Sequence, residues 1–222
     1  MTALTRSLAI VSAGLGTPSA TRLLADRLGV AVERHLRDAG IESRIETLEV
    51  RTLAQDLTNQ LLTGFPSSTL QAAMDGVVGS DGLIAVSPIF SASYSGLFKL
   101  FFDAIERHGL AGMPTLIAAT GGTARHSLAL EHALRPLFAY LDAAPVATAV
   151  YAASEDWGQS GVPAAGGLVE RIDRAARELA RAMADREPRT RADPFVDPIP
   201  FEEMLGGPAS PATRRPSAEP RR

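Results

Sequence analysis

Short apolar runs of β character alternate along this chain with longer stretches of helical period, and that alternation leaves few folds open. Residues 8–12 read as a strand buried on both faces. Residues 19–39 follow with Leu23, Leu24, Leu28, Val32 and Leu36 at helical spacing, Ser19 standing as N-cap and Gly40 as stop. Residues 41–48 form a second strand with partial alternation (Ile41, Ser43, Ile45, Thr47). Residues 52–63 are less regular, one or two short helices. Residues 67–79 put Leu70, Ala73, Met74 and Val77 on one helical face. A third strand, 83–87, ends at Pro88 and leads to a helix over 94–108. A fourth, 115–120, runs into Gly121 and Gly122 and then a helix over 127–141. A fifth, 146–151, precedes a last amphipathic helix over 166–184 that carries Leu168, Ile172, Ala176, Leu179 and Met183 in register.

Alternation of this kind builds a parallel sheet covered on both faces. Right-handed crossovers reduce the arrangements to a few. The expected fold is α/β, a flavodoxin-like three-layer sandwich with a five-stranded parallel sheet in the order 2-1-3-4-5. Ligands in such sheets sit at the carboxyl ends of the strands, beside the switch point. The folded domain is expected over 1–187. Residues 188–222 are rich in Pro, Arg, Ser and Ala and read as a largely disordered tail. Within it an apolar island at 198–205 either docks on the domain or a neighbouring subunit, or does little.

At 222 residues there is room for one such domain and a tail. The hydrophobic fraction of 45% supports a sizeable core. A net charge of −3 does not suit a nucleic-acid partner, which calls for a concentrated basic face. No cysteine is present, which removes thiolate chemistry and disulfides. No signal-peptide pattern opens the chain, and no run approaches the ~20 apolar residues of a bilayer span. The default reading is a cytoplasmic protein.

Three strand ends converge in this architecture. The first is Ser12-Ala13-Gly14-Leu15-Gly16-Thr17-Pro18-Ser19-Ala20-Thr21. Small residues between a buried strand and a helix start leave backbone N–H groups and the helix dipole open to a phosphate, with hydroxyls from Ser12, Thr17, Ser19 and Thr21. It is neither a dinucleotide fingerprint nor a P-loop, and an ordinary capped turn is the plainer alternative. The second is Ser87-Pro88-Ile89-Phe90-Ser91-Ala92-Ser93-Tyr94. An extended loop there offers backbone groups to the edge of a flat ring and apolar atoms to its face; alternatively Phe90 and Tyr94 are core aromatics. The third is Thr120-Gly121-Gly122-Thr123-Ala124-Arg125-His126, where two glycines allow close approach to a ligand, or simply make a turn.

Taken together the loops resemble a known family. Asp81-Gly82-Leu83-Ile84 leading into Ser87-Pro88-Ile89-Phe90 and Tyr94-Ser95-Gly96-Leu97-Phe98-Lys99 is similar to the second flavin loop of NADPH-dependent FMN reductases. Thr120-Gly121-Gly122-Thr123 followed by His126 resembles their third loop. The stretch 81–143 is especially similar to FMN reductases that supply alkanesulfonate-type monooxygenases, and the whole chain, including Pro200-Phe201-Glu202-Glu203, resembles FMN reductases partnered with luciferase-like monooxygenases. Two departures stand out. Many members carry Arg in the first loop, where this chain has Leu15 and Gly16. Some sulfonate-type members have Tyr where His132 stands here, beside a subunit interface.

The resemblance implies FMN as cofactor and NADPH or NADH as hydride donor. FMN would be held by Ser12, Leu15, Thr17, Ser19, Ala20, Thr21, Pro88, Ile89, Phe90, Ser91, Thr120, Gly121, Gly122, Thr123 and His126. Hydride would pass to flavin N5 with no acid, base or nucleophile from the protein, His126 alone being a candidate to polarise the flavin edge. It also implies homodimers or homotetramers joined through 94–108 and 127–141, whose Phe98, Phe102 and Phe138 suit either an interface or the core. The product would go to a flavin-dependent monooxygenase. Two alternatives use the same loops: an enzyme that keeps FMN and reduces quinones, azo dyes or metal oxyanions, and a flavodoxin-like electron carrier. The mild charge counts against the carrier, whose docking to basic partners favours strong acidity.

Overall fold

Strand β1 (Leu4–Ser12) is the centre around which the sheet is laid down. The computed structural model describes residues 4–157 and 167–189. The apolar run of β1 is buried on both faces: Ala9 and Val11 lie in one core cluster, Leu8 and Ile10 in the other. β2 (Ile41–Glu49) and β3 (Gly82–Phe90) pair with β1 in parallel, one on each side. β5 (Pro114–Gly121) pairs in parallel with β3. The order is therefore 2-1-3 followed by the fourth long strand, with the reversal of direction between β1 and β3, as expected.

The sheet has seven strands rather than five. Two-residue β4 (Ser93–Tyr94) folds back antiparallel on the end of β3. The expected fifth strand is split into β6 (Ala144–Pro145) and β7 (Val150–Ala153), both parallel to β5. Between them Arg135 donates to the carbonyls of Val146 and Ala147 at 3.1 and 3.2 Å. The Thr148 N–H and hydroxyl both go to the Glu178 carboxylate, at 2.7 and 2.6 Å. Side chains thus satisfy backbone groups that the sheet leaves unpaired.

β3 does not stop at Pro88. Val86 accepts a hydrogen bond from Ala13 N–H at 3.0 Å, so Pro88, of the same parity, faces the β1 side of the ladder beyond the point where β1 ends. Its missing N–H costs nothing there, and pairing with β5 continues through Pro88 and Thr120.

Helices α1 (Ala20–Asp38) and α6 (Leu168–Ala184) cover one face. α2 (Ala54–Thr63), α3 (Ser68–Val78), α4 (Gly96–Ala104) and α5 (Arg135–Tyr140) cover the other, with a 3-10 turn (Val50–Leu53) before α2. Ser19, Ser67 and Ser95 cap α1, α3 and α4 through their hydroxyls. The helix expected over 127–141 is instead a 3-10 turn (Ala124–His126), a π-turn (Leu130–Leu134) and α5. Pro136 has no N–H to give one turn back, and the widened π-turn accommodates that loss. Phe98, Phe102 and Phe138 are fully buried, with Phe102 4.7 Å from Phe98 and 4.9 Å from Phe138 between ring centres. Of the two roles open to them, they fill the core.

After α6 the chain folds back. Arg189 gives its N–H to Asp81 at 2.7 Å and its guanidinium to the carbonyls of Val78 and Ala111 at 2.9 Å each. The rest of the expected tail, 190–222 with the island at 198–205, and the start of the last helix at Gly166 lie outside the described residues.

α1 and α6 are tied across their polar edge by Asp173, which accepts from His35 at 2.9 Å and from Arg34 and Arg177. Partial burial pushes the Asp173 carboxyl up, and the His35 hydrogen bond with the charges of His35, Arg177 and Arg34 more than offsets it, leaving it below the usual carboxylate range. A carboxyl held low contributes stability above its ordinary value of 3.8, and that stability fades as pH falls through the folded-state value. Asp173→Asn is expected to lower Tm by about 2–4 °C at pH 7, as for a network worth about 1 kcal/mol. The gap from the unsubstituted chain closes below about pH 4. Thermal melts across pH 3–8 check this; a gap that widens in acid contradicts it.

Candidate functional site

The carboxyl ends of β1, β3, β5 and β7 open on one edge of the sheet, and the three expected loops meet there. Parity sets who faces whom. Ser12 follows Leu8 and Ile10 on the α1 side, and Thr120 follows Leu116 and Ala118 on the same side. Thr21, in the first turn of α1, reaches across to Thr120, the two hydroxyls 2.8 Å apart in a buried bond. The first and third loops are thereby joined directly. The second is joined to the third by the pairing of Pro88 with Thr120 and to the first by Ala13 N–H on the Val86 carbonyl.

The Ser12 hydroxyl is 1% exposed and has no hydrogen-bond partner among the described residues. A buried hydroxyl without a partner carries a desolvation cost of about 1–3 kcal/mol, which a bound acceptor would recover. Ser19 accepts from Arg22 N–H at 3.2 Å and so opens α1 toward the loop. No acidic residue occupies the first turn of α1, which leaves the positive end of its dipole uncompensated. Leu15, Thr17 and Ala20 are exposed on the loop and the helix start.

In the second loop Pro88 is buried, Ile89 partly so, and Phe90 is 49% exposed at the end of β3. Phe90 pairs with Ser93 across a two-residue turn whose Ser91 and Ala92 both have positive φ, 48° and 67°. That is the geometry of a tight hairpin, and it is held here by residues other than glycine. Ser87 secures the base of this loop: its hydroxyl accepts from Ser95 N–H at 3.0 Å and donates to the Pro88 carbonyl at 2.9 Å.

The two glycines of the third loop differ. A Cβ on Gly121 would lie 2.0 Å from the Tyr151 hydroxyl, so that position is closed by the protein itself. A Cβ on Gly122 would meet none of the described residues within 4 Å. The Tyr151 hydroxyl donates to the Thr123 carbonyl at 2.9 Å, and burial raises its pKa, which keeps it a donor. Thr123 caps the following turn by accepting from Arg125 N–H at 3.2 Å. His126 is exposed at the end of that turn, and the capping role belongs to Thr123.

Two contributors escaped the reading of the loops. Tyr151 comes from β7. Arg51, in the turn after β2, donates to the Thr17 hydroxyl and to the Gly16 carbonyl at 3.4 Å. Both were reachable from the strand order, because 2-1-3 sets the end of the second strand beside the first loop, and the fifth strand beside the glycine pair.

A doubly wound sheet with a hydroxyl-lined helix start, an apolar hairpin and an open glycine at its switch point defines a protein of the flavodoxin-like fold with its crevice at the carboxyl ends of the strands. Residues 6–158 match the family model described as NADPH-dependent FMN reductase. An FMN reductase (NADPH) of Pseudomonas aeruginosa is 38% identical over 147 residues, 66% of this chain and 76% of that protein. The NADH-dependent FMN reductase SfnF of Pseudomonas putida is 34% identical over 150 residues, 68% of this chain and 78% of its own length. The crystal structure of an oxidoreductase from Corynebacterium diphtheriae superposes with a TM-score of 0.78 at 44% identity, covering 82% of this chain and 99% of the other. The chain belongs to the NADPH-dependent FMN reductase family. It is an oxidoreductase that uses FMN with NADPH or NADH as hydride donor. Among the described residues no helix is long and apolar enough to cross a membrane.

Because no described residue lies within 4 Å of a Cβ placed on Gly122, Gly122→Ala is expected to leave Tm unchanged or slightly higher, the unfolded chain having less freedom to lose. The same substitution is expected to weaken FMN binding by about tenfold through crowding of the ligand. Melting curves and flavin-fluorescence titrations check the two halves separately; unaltered FMN affinity contradicts the placement of the site.

Proposed function

We propose that this chain reduces FMN as a diffusing substrate and passes the reduced flavin to a separate flavin-dependent monooxygenase in the cytoplasm. One observation carries the reading: the rim of the site is open. Residues 15–18 of the first loop are exposed, Phe90 is half-exposed, and the space over Gly122 is free. A seat of this kind suits exchange better than retention.

In this reading the first loop is the phosphate cradle. Hydroxyls of Ser12, Thr17 and Ser19 and the backbone N–H groups of Leu15, Gly16, Thr17, Ser19 and Ala20 donate to the phosphate, while Thr21 holds the cradle to Thr120 from beneath. Pro88, Ile89, Phe90 and Ser91 flank the ring, and the third loop meets it through Thr120, Gly122 and Thr123, with Gly122 giving the close approach because Tyr151 closes the space over Gly121. Bound FMN supplies the hydride-accepting chemistry. The side chains named here bind and orient, and none is asked to carry a proton. His126, exposed beside the third loop, is in reach of a ligand that extends past Thr123. The flavin face turned away from Gly122 is left for the nicotinamide, so that two flat rings stack and exclude water between them.

The test is anaerobic addition of NADPH or NADH to the protein with FMN in large molar excess. Reduction of many equivalents of FMN per chain, followed by turnover of an added flavin-dependent monooxygenase, is the expected result. Reduction that halts at one equivalent, with flavin surviving gel filtration, shows retention and sinks the proposal.

We also propose a homodimer or homotetramer. Leu128, just after the third loop, and Tyr140, at the other end of the 127–141 segment near the start of β5, are both more than 60% exposed and offer apolar surface to a second copy. Light scattering at micromolar concentration is expected to read two or four chains; a monomer contradicts this.

A further inference from the structure

The first loop carries no Lys or Arg from Ser12 to Thr21, although it is the segment read as holding a dianion. The arginine nearest in sequence is turned away. Arg22 donates from Nε to Asp26 at 2.8 Å and from Nη1 to Glu49 at 2.6 Å, so two carboxylates absorb its charge. The guanidinium that reaches the loop comes from a different element. Arg51 donates from Nε to Glu49 at 2.6 Å and from Nη1 to the Thr17 hydroxyl and the Gly16 carbonyl.

We propose that Arg51 supplies the cation facing the 5′-phosphate of FMN in this chain and selects the phosphorylated flavin over riboflavin. Three features support the assignment. First, Glu49 sits between Arg22 and Arg51 and fixes the direction of the Arg51 fork before any ligand arrives. Second, the Thr17 oxygen accepts from Arg51, which leaves its own proton to donate outward to an anion. Third, the buried Ser12 hydroxyl lacks a partner and the first turn of α1 lacks an acid, so the neighbouring donors also await a negative group. A planar guanidinium suits a phosphate better than an ammonium does, because it offers two parallel donors.

This inference rests on the first loop being the phosphate cradle, and the test separates the two. Flavin-free protein is titrated with FMN and, separately, with riboflavin, which lacks the phosphate, by quenching of flavin fluorescence. Arg51→Gln is expected to weaken FMN binding about tenfold and leave riboflavin binding within about twofold, the loss of one charge-assisted contact. Arg51→Lys recovers part of the FMN affinity, keeping the charge without the fork. Three results overturn the proposal. FMN affinity unchanged in Arg51→Gln removes the phosphate contact. An equal fall for FMN and riboflavin shows that Arg51 only shapes the loop. A rise in KM for NADPH but not NADH, with FMN binding intact, moves its charge to the nicotinamide's phosphate. Ser12→Ala serves as the comparison. If it weakens FMN binding while Arg51→Gln does not, the cradle stands and Arg51 alone is misassigned. If neither substitution matters, both fail.

Discussion

The parallel pairing of β1 with β2 on one side and β3 on the other is the constraint on which the rest of the molecule depends. Two parallel neighbours force the chain to leave β1 in one direction and return on the opposite flank, which opens a crevice where no connection crosses. β1 lies in that centre because Leu8 to Val11 are apolar without alternation and are satisfied only when covered from both sides. The Thr21–Thr120 hydroxyl bond then closes the crevice floor by fastening the first helix to the fourth long strand.

Much of this was legible in the order of residues. Helix α1 begins and ends within one residue of its expected bounds, because a serine cap and a glycine stop are local signals. Alternation and handedness reduced the sheet orders to a few, and the flavodoxin-like one among them brings the three loops to one edge. What failed depended on partners distant in sequence. Pro88 looks like a strand terminator until one knows that its N–H side faces past the end of β1. Pro136 looks harmless at the head of a helix until the preceding turn has to widen. Phe98, Phe102 and Phe138 have a periodicity that serves an interface or a core equally well, and only their mutual stacking decides. Arg51 carried no motif; its place over the first loop is a consequence of topology.

The site divides its labour between rigid and open parts. Ser87, Tyr151 and Thr21 are spent on holding loops to one another, through bonds buried beneath the rim. The groups left over, a buried serine hydroxyl, a helix start with no acid in its first turn and a glycine with no described neighbour over it, are the ones the fold leaves unused at the crevice. Hydride transfer between stacked rings depends on contact rather than on proton shuttling, so the proposed reaction asks little more of the side chains.

The broken strand at the margin of the sheet has a consequence of its own. An uninterrupted outer strand offers a ladder of free amides and carbonyls to any other chain that collides with it. Here the ladder is cut between Pro145 and Val150, and the guanidinium of Arg135 and the carboxylate of Glu178 already sit on the groups in the gap. A foreign β-segment laid along this margin would have to expel both charges. The interruption therefore guards this border of the sheet against strand-to-strand polymerisation.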